Sequence, residues 1–244
     1  MGNFRSSVCA LVASLAIAGL GGTAHAAGYT LTALGDLPGG SDYSIASDIN
    51  DAGQVVGNSN AATGLRAFLW DAVNGMQDLG DLPGGNDYSA ARGINDAGQV
   101  VGGSEAATGQ RAFLWDAVNG MQDLGDLPGG SDYSAASDIN DAEQVVGFSY
   151  AATGTRAFLW DAVNGMQDLG DLIDPGLSAV LYNATAINAS GQIVGWGEID
   201  GYSQAFLLTP VSEVPIPASL VLMLGGIGAL GGIAWRRKVS TPQA

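Results

Sequence analysis

Apolar and polar positions alternate along Ser44-Ile45-Ala46-Ser47-Asp48-Ile49-Asn50, the two-residue period of a half-buried strand. Asp51-Ala52-Gly53 reads as a tight turn, with Gly53 free to take a positive φ. Gln54 to Gly57 continues as a second strand. After a turn at Ala61-Ala62-Thr63-Gly64, Arg66-Ala67-Phe68-Leu69-Trp70 forms a third. Ala72-Val73-Asn74-Gly75 is a hairpin connection on its Asn-Gly signal, and Met76 to Leu82 is the fourth strand. No window sustains the i, i+3, i+4 apolar pattern of a helix.

This pattern recurs every 45 residues. Leu34-Gly35-Asp36-Leu37-Pro38-Gly39-Gly40 returns at Leu79 to Gly85 and at Leu124 to Gly130, and an altered fourth copy begins at Leu169. Four short strands per period of this length match a propeller blade. The phase is informative. Leu31 to Leu37 aligns with the fourth strand Met76 to Leu82, whereas the last copy stops at its third strand, Gln204 to Leu208. The expected fold is therefore all-β, a four-bladed propeller-like ring whose N-terminal strand closes the last blade and leaves no open sheet edge. An open β-array, or a ring completed by a second chain, competes with it. The identity of Arg66–Gly85 and Arg111–Gly130 also invites swapped pairing.

The ends differ from the middle. Residues 1–26 read as a signal peptide: one early cation, Arg5, an apolar stretch from Val8 to Leu20, and the cleavage-like tripeptide Ala24-His25-Ala26. Residues 214–244 begin with Val214-Pro215-Ile216-Pro217-Ala218-Ser219. An apolar segment, residues 218–235, then runs into Arg236-Arg237-Lys238. At about 1.5 Å per residue that segment spans roughly 27 Å, enough for a membrane helix. The basic cluster places its far end inside the cell and the main domain outside.

Residues 27–213 then form one domain-sized stretch. It holds all 24 acidic residues and only four cations, Arg66, Arg92, Arg111 and Arg156, for a net charge of −20. Such a surface repels nucleic acid and anionic lipid. Cys9 and His25 lie in the signal segment and the one lysine in the tail, so the domain has no thiol, imidazole or primary amine side chain. Ser-His-Asp and Cys-His catalysis, His- or Cys-bound zinc and Schiff-base chemistry are excluded, as are disulfides.

What remains is carboxylate, hydroxyl and arginine chemistry. Asp48-Ile49-Asn50-Asp51-Ala52-Gly53 has the outline of a calcium loop but puts Ala52 at a ligand position and Ser59 where the twelfth-place glutamate belongs. The loops of Asp36, Asp81 and Asp126 leave room for a different Ca2+ site; otherwise no cofactor or metal is expected. Arg66, Phe68 and Trp70, repeated at Arg111 and Arg156, share one side of a strand. They read as packing between blades, with the arginine paired to Asp71 or an equivalent, in preference to a sugar-stacking surface. The copies differ chiefly just after the second strand, which makes Asn58, Asn60, Glu105, Phe148, Tyr150, Trp196 and Glu198 the candidate ligand surface. Paired carboxylates in unlike environments could hydrolyse a glycoside, but near-identical repeats argue against one catalytic centre.

Two resemblances add to this. Ala67-Phe68-Leu69-Trp70, Asp78-Leu79-Gly80, Gly84-Gly85, Ile94-Asn95 and Gly98-Gln99-Val100-Val101-Gly102 resemble the bacterial extracellular HAF repeat over most of residues 30–208, although arginine or Gln204 replaces the histidine that names it. The family implies an exported, often propeller-like protein. Val214, Pro215, Pro217, Ala218 and Ser219, with the apolar segment and basic cluster, resemble a PEP-CTERM sorting signal in its V-P-x-P-A form, Ile216 standing where glutamate is usual. That resemblance implies processing by an exosortase-type transpeptidase after signal peptidase has removed the leader. The expectation is a non-enzymatic structural or adhesive protein, anchored transiently in the inner membrane and then delivered to the cell surface or matrix, with exopolysaccharide as a partner and nucleic acid as none. The alternatives are a carboxylate-dependent polysaccharide hydrolase or lyase and a calcium-dependent assembly module.

Overall fold

The computed structural model describes residues 28–211. The chain divides into a leading segment ending at Ala33, whose described residues 28–33 carry no strand, and a body beginning at Leu34. Among its described residues the body is all-β apart from one short 3-10 turn, Leu169–Leu172. Repeat 1 comprises β1 (Gly39–Ile49), β2 (Val55–Ala61), β3 (Leu65–Asp71) and β4 (Gly75–Asp78). Repeat 2 comprises β5 (Gly84–Ile94), β6 (Val100–Ala106), β7 (Gly109–Asp116) and β8 (Gly120–Asp123). Repeat 3 comprises β9 (Gly129–Ile139), β10 (Val145–Ala151), β11 (Gly154–Asp161) and β12 (Gly165–Asp168). Repeat 4 has three strands, β13 (Ala179–Ile187), β14 (Ile193–Ile199) and β15 (Tyr202–Leu208). Within each repeat the strands pair antiparallel in chain order. One parallel pair, Leu65 with Tyr88, joins the first two sheets.

Local chemistry sets the turns. Gly53 and Gly75 take φ of 75° and 72°. In the loop after β3, Asp71 Oδ1 accepts from the amides of Val73 and Asn74, each at 2.8 Å. The first strand of each repeat is irregular: β1 slips register between Ala46 and Asp48, and β5 between Ala91 and Gly93. There the backbone crowds a glycine of the second strand. A Cβ on Gly102 would collide with the Ala90 carbonyl, as one on Gly57 would with Ile45 and one on Gly195 with Asn183.

The core lies between repeats. Val56, Ala67, Leu69, Leu79 and Leu82 pack on Ala91, Ile94, Val100 and Phe113. The same positions one repeat later, Val101, Ala112, Leu114, Leu124 and Leu127, pack on Ala136, Ile139, Val145 and Phe158. Val146, Ala157 and Leu169 pack on Leu181, Ala184, Ile187, Ile193 and Phe206. Each sheet thus has a forward face towards the next repeat and a backward face towards the previous one. Phe113 and Trp115 sit on the backward face, as the alternation of that strand predicts.

Two expectations change. The fourth strand ends at Asp78 rather than running to Leu82, because Asp78 Oδ1 accepts from Gly80 N at 2.8 Å and Gly80 takes φ 78°. Leu82 then belongs to the following repeat, where its amide donates to Ser104 Oγ at 2.9 Å. Leu37 likewise donates to Ser59 Oγ at 2.9 Å, so it is the lead-in of repeat 1. The ring closure predicted from the phase is not detected. Residues 29–37 carry no strand, and among the described residues β15 pairs with β14 alone.

Candidate functional site

The cleavage residues Ala24 and Ala26, the sorting residues Val214, Pro215, Pro217, Ala218 and Ser219, and the apolar segment 218–235 lie outside the described residues. Among the described residues no helix is long and apolar enough to cross a membrane.

The arginines serve the joints between repeats. Arg66 meets Asp81 and, through Nη2, Asp87 at 2.8 Å and Thr63 Oγ1 at 3.1 Å. Arg111 repeats this with Asp126 at 2.7 Å, Asp132 at 2.9 Å and Thr108 at 3.0 Å. The expected partner Asp71 is occupied by its own turn; the actual partners lie in the linker and first strand of the next repeat. Burial pulls the Arg66 pKa down, but Asp81, with Asp78 and Asp87 around it, outweighs burial and the net direction is upward; Arg111 behaves alike. Asp81 and Asp126 are therefore held in ion pairs. Among the described residues no three carboxylates gather at metal-binding spacing. Arg156 is looser, 3.6 Å from Asp168, and repeat 4 carries Gln204 instead.

The Asp48-x-Asn50 segment has a different role from the calcium loop it outlines. Asn50 Nδ2 donates to Asn95 O at 3.1 Å, Asn95 to Asn140 O at 3.2 Å, and Asn140 to Asn188 O at 3.1 Å. Beside this ladder, Asp51 N donates to Asp96 Oδ1 and Asp96 N to Asp141 Oδ1, both at 2.9 Å. Asp48 Oδ2 accepts from Ile94 N at 3.0 Å, and Asp138 Oδ2 from Ile187 N at 2.8 Å. Burial pushes the Asp138 pKa up against those hydrogen bonds. The recurrence of asparagine at 50, 95, 140 and 188 was the signal for this ladder; its partners lie a full repeat away.

The candidate ligand surface divides. Asn58 and Asn60 are half-buried on β2, and Asn60 Nδ2 bonds Ser41 Oγ. Glu105 lies half-buried on β6. Phe148 and Tyr150, both on β10, come together around Tyr133: the Tyr133 and Tyr150 rings stack at 4.7 Å and Phe148 lies 5.9 Å from Tyr133. Burial raises the Tyr133 pKa, with Tyr150 adding to it and Arg92 opposing, while Tyr88 and Glu105 act from close by. Tyr133 completes this cluster and was not singled out in the sequence. Trp196 and Glu198 stand apart on β14, where Tyr182 packs on Trp196 at 5.2 Å and donates to Glu198 at 3.3 Å. Trp196 is half-exposed on the forward face of the last repeat. No protein-family model matches the chain, and neither does any curated protein or solved structure.

Proposed function

We propose that this is an exported scaffold protein of the cell surface or matrix, adhesive rather than catalytic, which contacts exopolysaccharide through the cluster of Tyr133, Phe148 and Tyr150. That cluster is the observation that carries the reading. Stacked aromatic rings present an apolar face suited to the C–H face of a sugar ring. Arg92 and Glu105, whose charges act on Tyr133, would offer charge-assisted hydrogen bonds to hydroxyl or carboxylate groups. It also breaks repeat symmetry: the positions of Phe148 and Tyr150 are Gly103 and Glu105 one repeat earlier.

The resemblance of the ends to a leader and a PEP-CTERM-type signal supports export by signal peptidase, transient anchoring in the inner membrane and release by an exosortase-type enzyme. The HAF-like repeats support an extracellular module. A four-bladed ring is the alternative form of this scaffold, in which the end faces of the body would be covered within one chain. The hydrolase alternative has less support, because Asp81, Asp87, Asp126 and Asp132 are committed to arginines and Asp71, Asp116 and Asp161 to turns. Purified protein should bind a panel of acidic and neutral bacterial glycans without cleaving them, and Tyr150→Ala should weaken binding by roughly tenfold, the loss of one stacking partner. Glycan turnover abolished by a single Asp→Asn change would replace this reading with the enzymatic one.

A further inference from the structure

The two ends of the repeat body carry the two halves of a joint that the molecule already makes three times. In the first two joints the forward repeat offers three donors: the amide of the ladder asparagine, the backbone N–H after it, and the backbone N–H of the alanine after the arginine. The receiving repeat offers the asparagine carbonyl, the following aspartate and a serine hydroxyl. At the first joint these are Asn50 to Asn95 O, Asp51 N to Asp96 Oδ1 and Ala67 N to Ser89 Oγ. At the second they are Asn95 to Asn140 O, Asp96 N to Asp141 Oδ1 and Ala112 N to Ser134 Oγ.

Repeat 4 presents the donor set at the corresponding positions: Asn188, Ala189 N and Ala205 N, around Val194 and Leu207. Repeat 1 presents the acceptor set, Asn50 O, Asp51 and Ser44, around Ala46 and Ile49. Val194 and Leu207 are 41% and 60% exposed, and Ile49 is 63% exposed.

An independent detail matches the two ends. Where Asp48 or Asp138 stands in the forward repeat, its carboxylate takes the next repeat's isoleucine amide. Gly93 cannot do this. Across that joint Asp138 folds back on its own neighbour, Ile139 N, at 2.9 Å, and fills the space beside Gly93. Repeat 4 has a small residue, Ala186, at this position. Asp48 in repeat 1 is already folded back on Ile49 N at 2.9 Å, the arrangement that goes with a small residue in front of it.

We infer that the forward face of repeat 4 receives the backward face of repeat 1 from a second copy of the chain. Such a head-to-tail joint leaves one free face of each kind at the ends of any pair, so copies add in line until the free faces meet. The inference goes beyond the scaffold reading and does not depend on glycan binding.

The test uses the full chain in a Cys9→Ser background carrying Asp51→Cys and Ala189→Cys, with Asp51→Cys plus Asp96→Cys as a reference for the geometry of an internal joint. The expected result is disulfide-linked dimers and higher species from the 51/189 variant, growing with protein concentration, while the reference pair closes within one chain. Without added cysteines, Ile49→Arg and Leu207→Arg should each weaken self-association by roughly tenfold or more in sedimentation velocity, and a mixture of the two should give pairs and nothing longer. A 51/189 disulfide formed within single chains would overturn the inference in favour of ring closure. Absence of that disulfide while the reference forms would overturn it outright. Either result would leave glycan binding by Tyr133, Phe148 and Tyr150 untouched.

Discussion

Ile94 and Ile139 are 6% and 4% exposed, whereas Ile49, at the same place in the first repeat, is 63% exposed. At the other end Val56, Val101 and Val146 are sealed between sheets while Val194 is open. The residues and strand positions are the same, so what differs is the neighbour. Burial here is conferred by the next repeat. The repeat is therefore a half-core that becomes stable only by stacking, the general condition of repeat proteins. Inner repeats are finished on both faces, and end repeats on one.

The largest effect should separate the two regions by placing a charge at the same forward position. Val101→Asp buries an unpaired carboxylate between repeats 2 and 3 and should cost about 3–5 kcal/mol in denaturant unfolding. Val194→Asp, at the end face, should stay within about 0.5 kcal/mol at low protein concentration. Equal losses would break the comparison.

The arginine clamps give a second gradient. Arg111→Met removes two close carboxylate contacts and leaves Asp126 partly buried without its partner, for a loss of about 1–2 kcal/mol once the exposure of Asp132 is allowed for. Arg156→Met, with one longer contact, should lose less than half of that by the same measurement.

The turn of repeat 3 departs from those of the repeats before it. Glu143 sits at φ 59°, where Gly53 and Gly98 occupy the same place in the repeats before it. Glu143→Gly should stabilise by about 1 kcal/mol, because the left-handed region strains a residue with a Cβ more than the added chain freedom of glycine costs.

The smallest effect depends on pH. Asp138 has a folded pKa above its unfolded value, because burial outweighs its two backbone donors. Between the ordinary carboxylate range near pH 4 and that raised value the folded state holds a proton that the unfolded chain releases, so wild-type stability falls as pH rises through the window. Asp138→Asn does not titrate there and should gain on the wild type as pH rises. The turn aspartates Asp71, Asp116 and Asp161 act in the other direction. Their pKa values are lowered, chiefly by Asn74, Asn119 and Asn164, so their contribution is present above the unfolded value and is lost as pH falls.

Much of the repeat was legible in the sequence. The alternation of Arg66–Trp70, the Asn74-Gly75 turn and Gly53 each encode a local geometry, and the inter-repeat packing of phenylalanine and tryptophan follows from strand parity. The alternation read through Ser44–Asn50 does not hold, because the register slip puts Ala91 and Ile94, three residues apart, on one face. Chain handovers were harder. Met76 to Leu82 keeps an apolar rhythm straight through Gly80, so only the Asp78–Gly80 turn shows that the strand stops and the next repeat begins. The predicted ring rested on that unbroken strand. Within the candidate site, the variable positions pointed to Phe148 and Tyr150, but Tyr133 recurs as Tyr43 and Tyr88 and carried no contrast to mark it. Arg92 stood out only by lacking a counterpart in the other repeats. The asparagine ladder recurs openly in the sequence, yet its bonds run 45 to 48 residues along the chain, a distance that local patterns do not reach.

The end faces are unfinished copies of the inner joints. Amide hydrogen exchange at Ala205, the end-face counterpart of Ala67 and Ala112, tests this most directly. Ala67 and Ala112 should be protected at every protein concentration, while Ala205 should exchange rapidly in dilute protein and gain protection as concentration rises. Protection of Ala205 equal to that of Ala112 in the most dilute sample, or rapid exchange of Ala205 at every concentration, would contradict it.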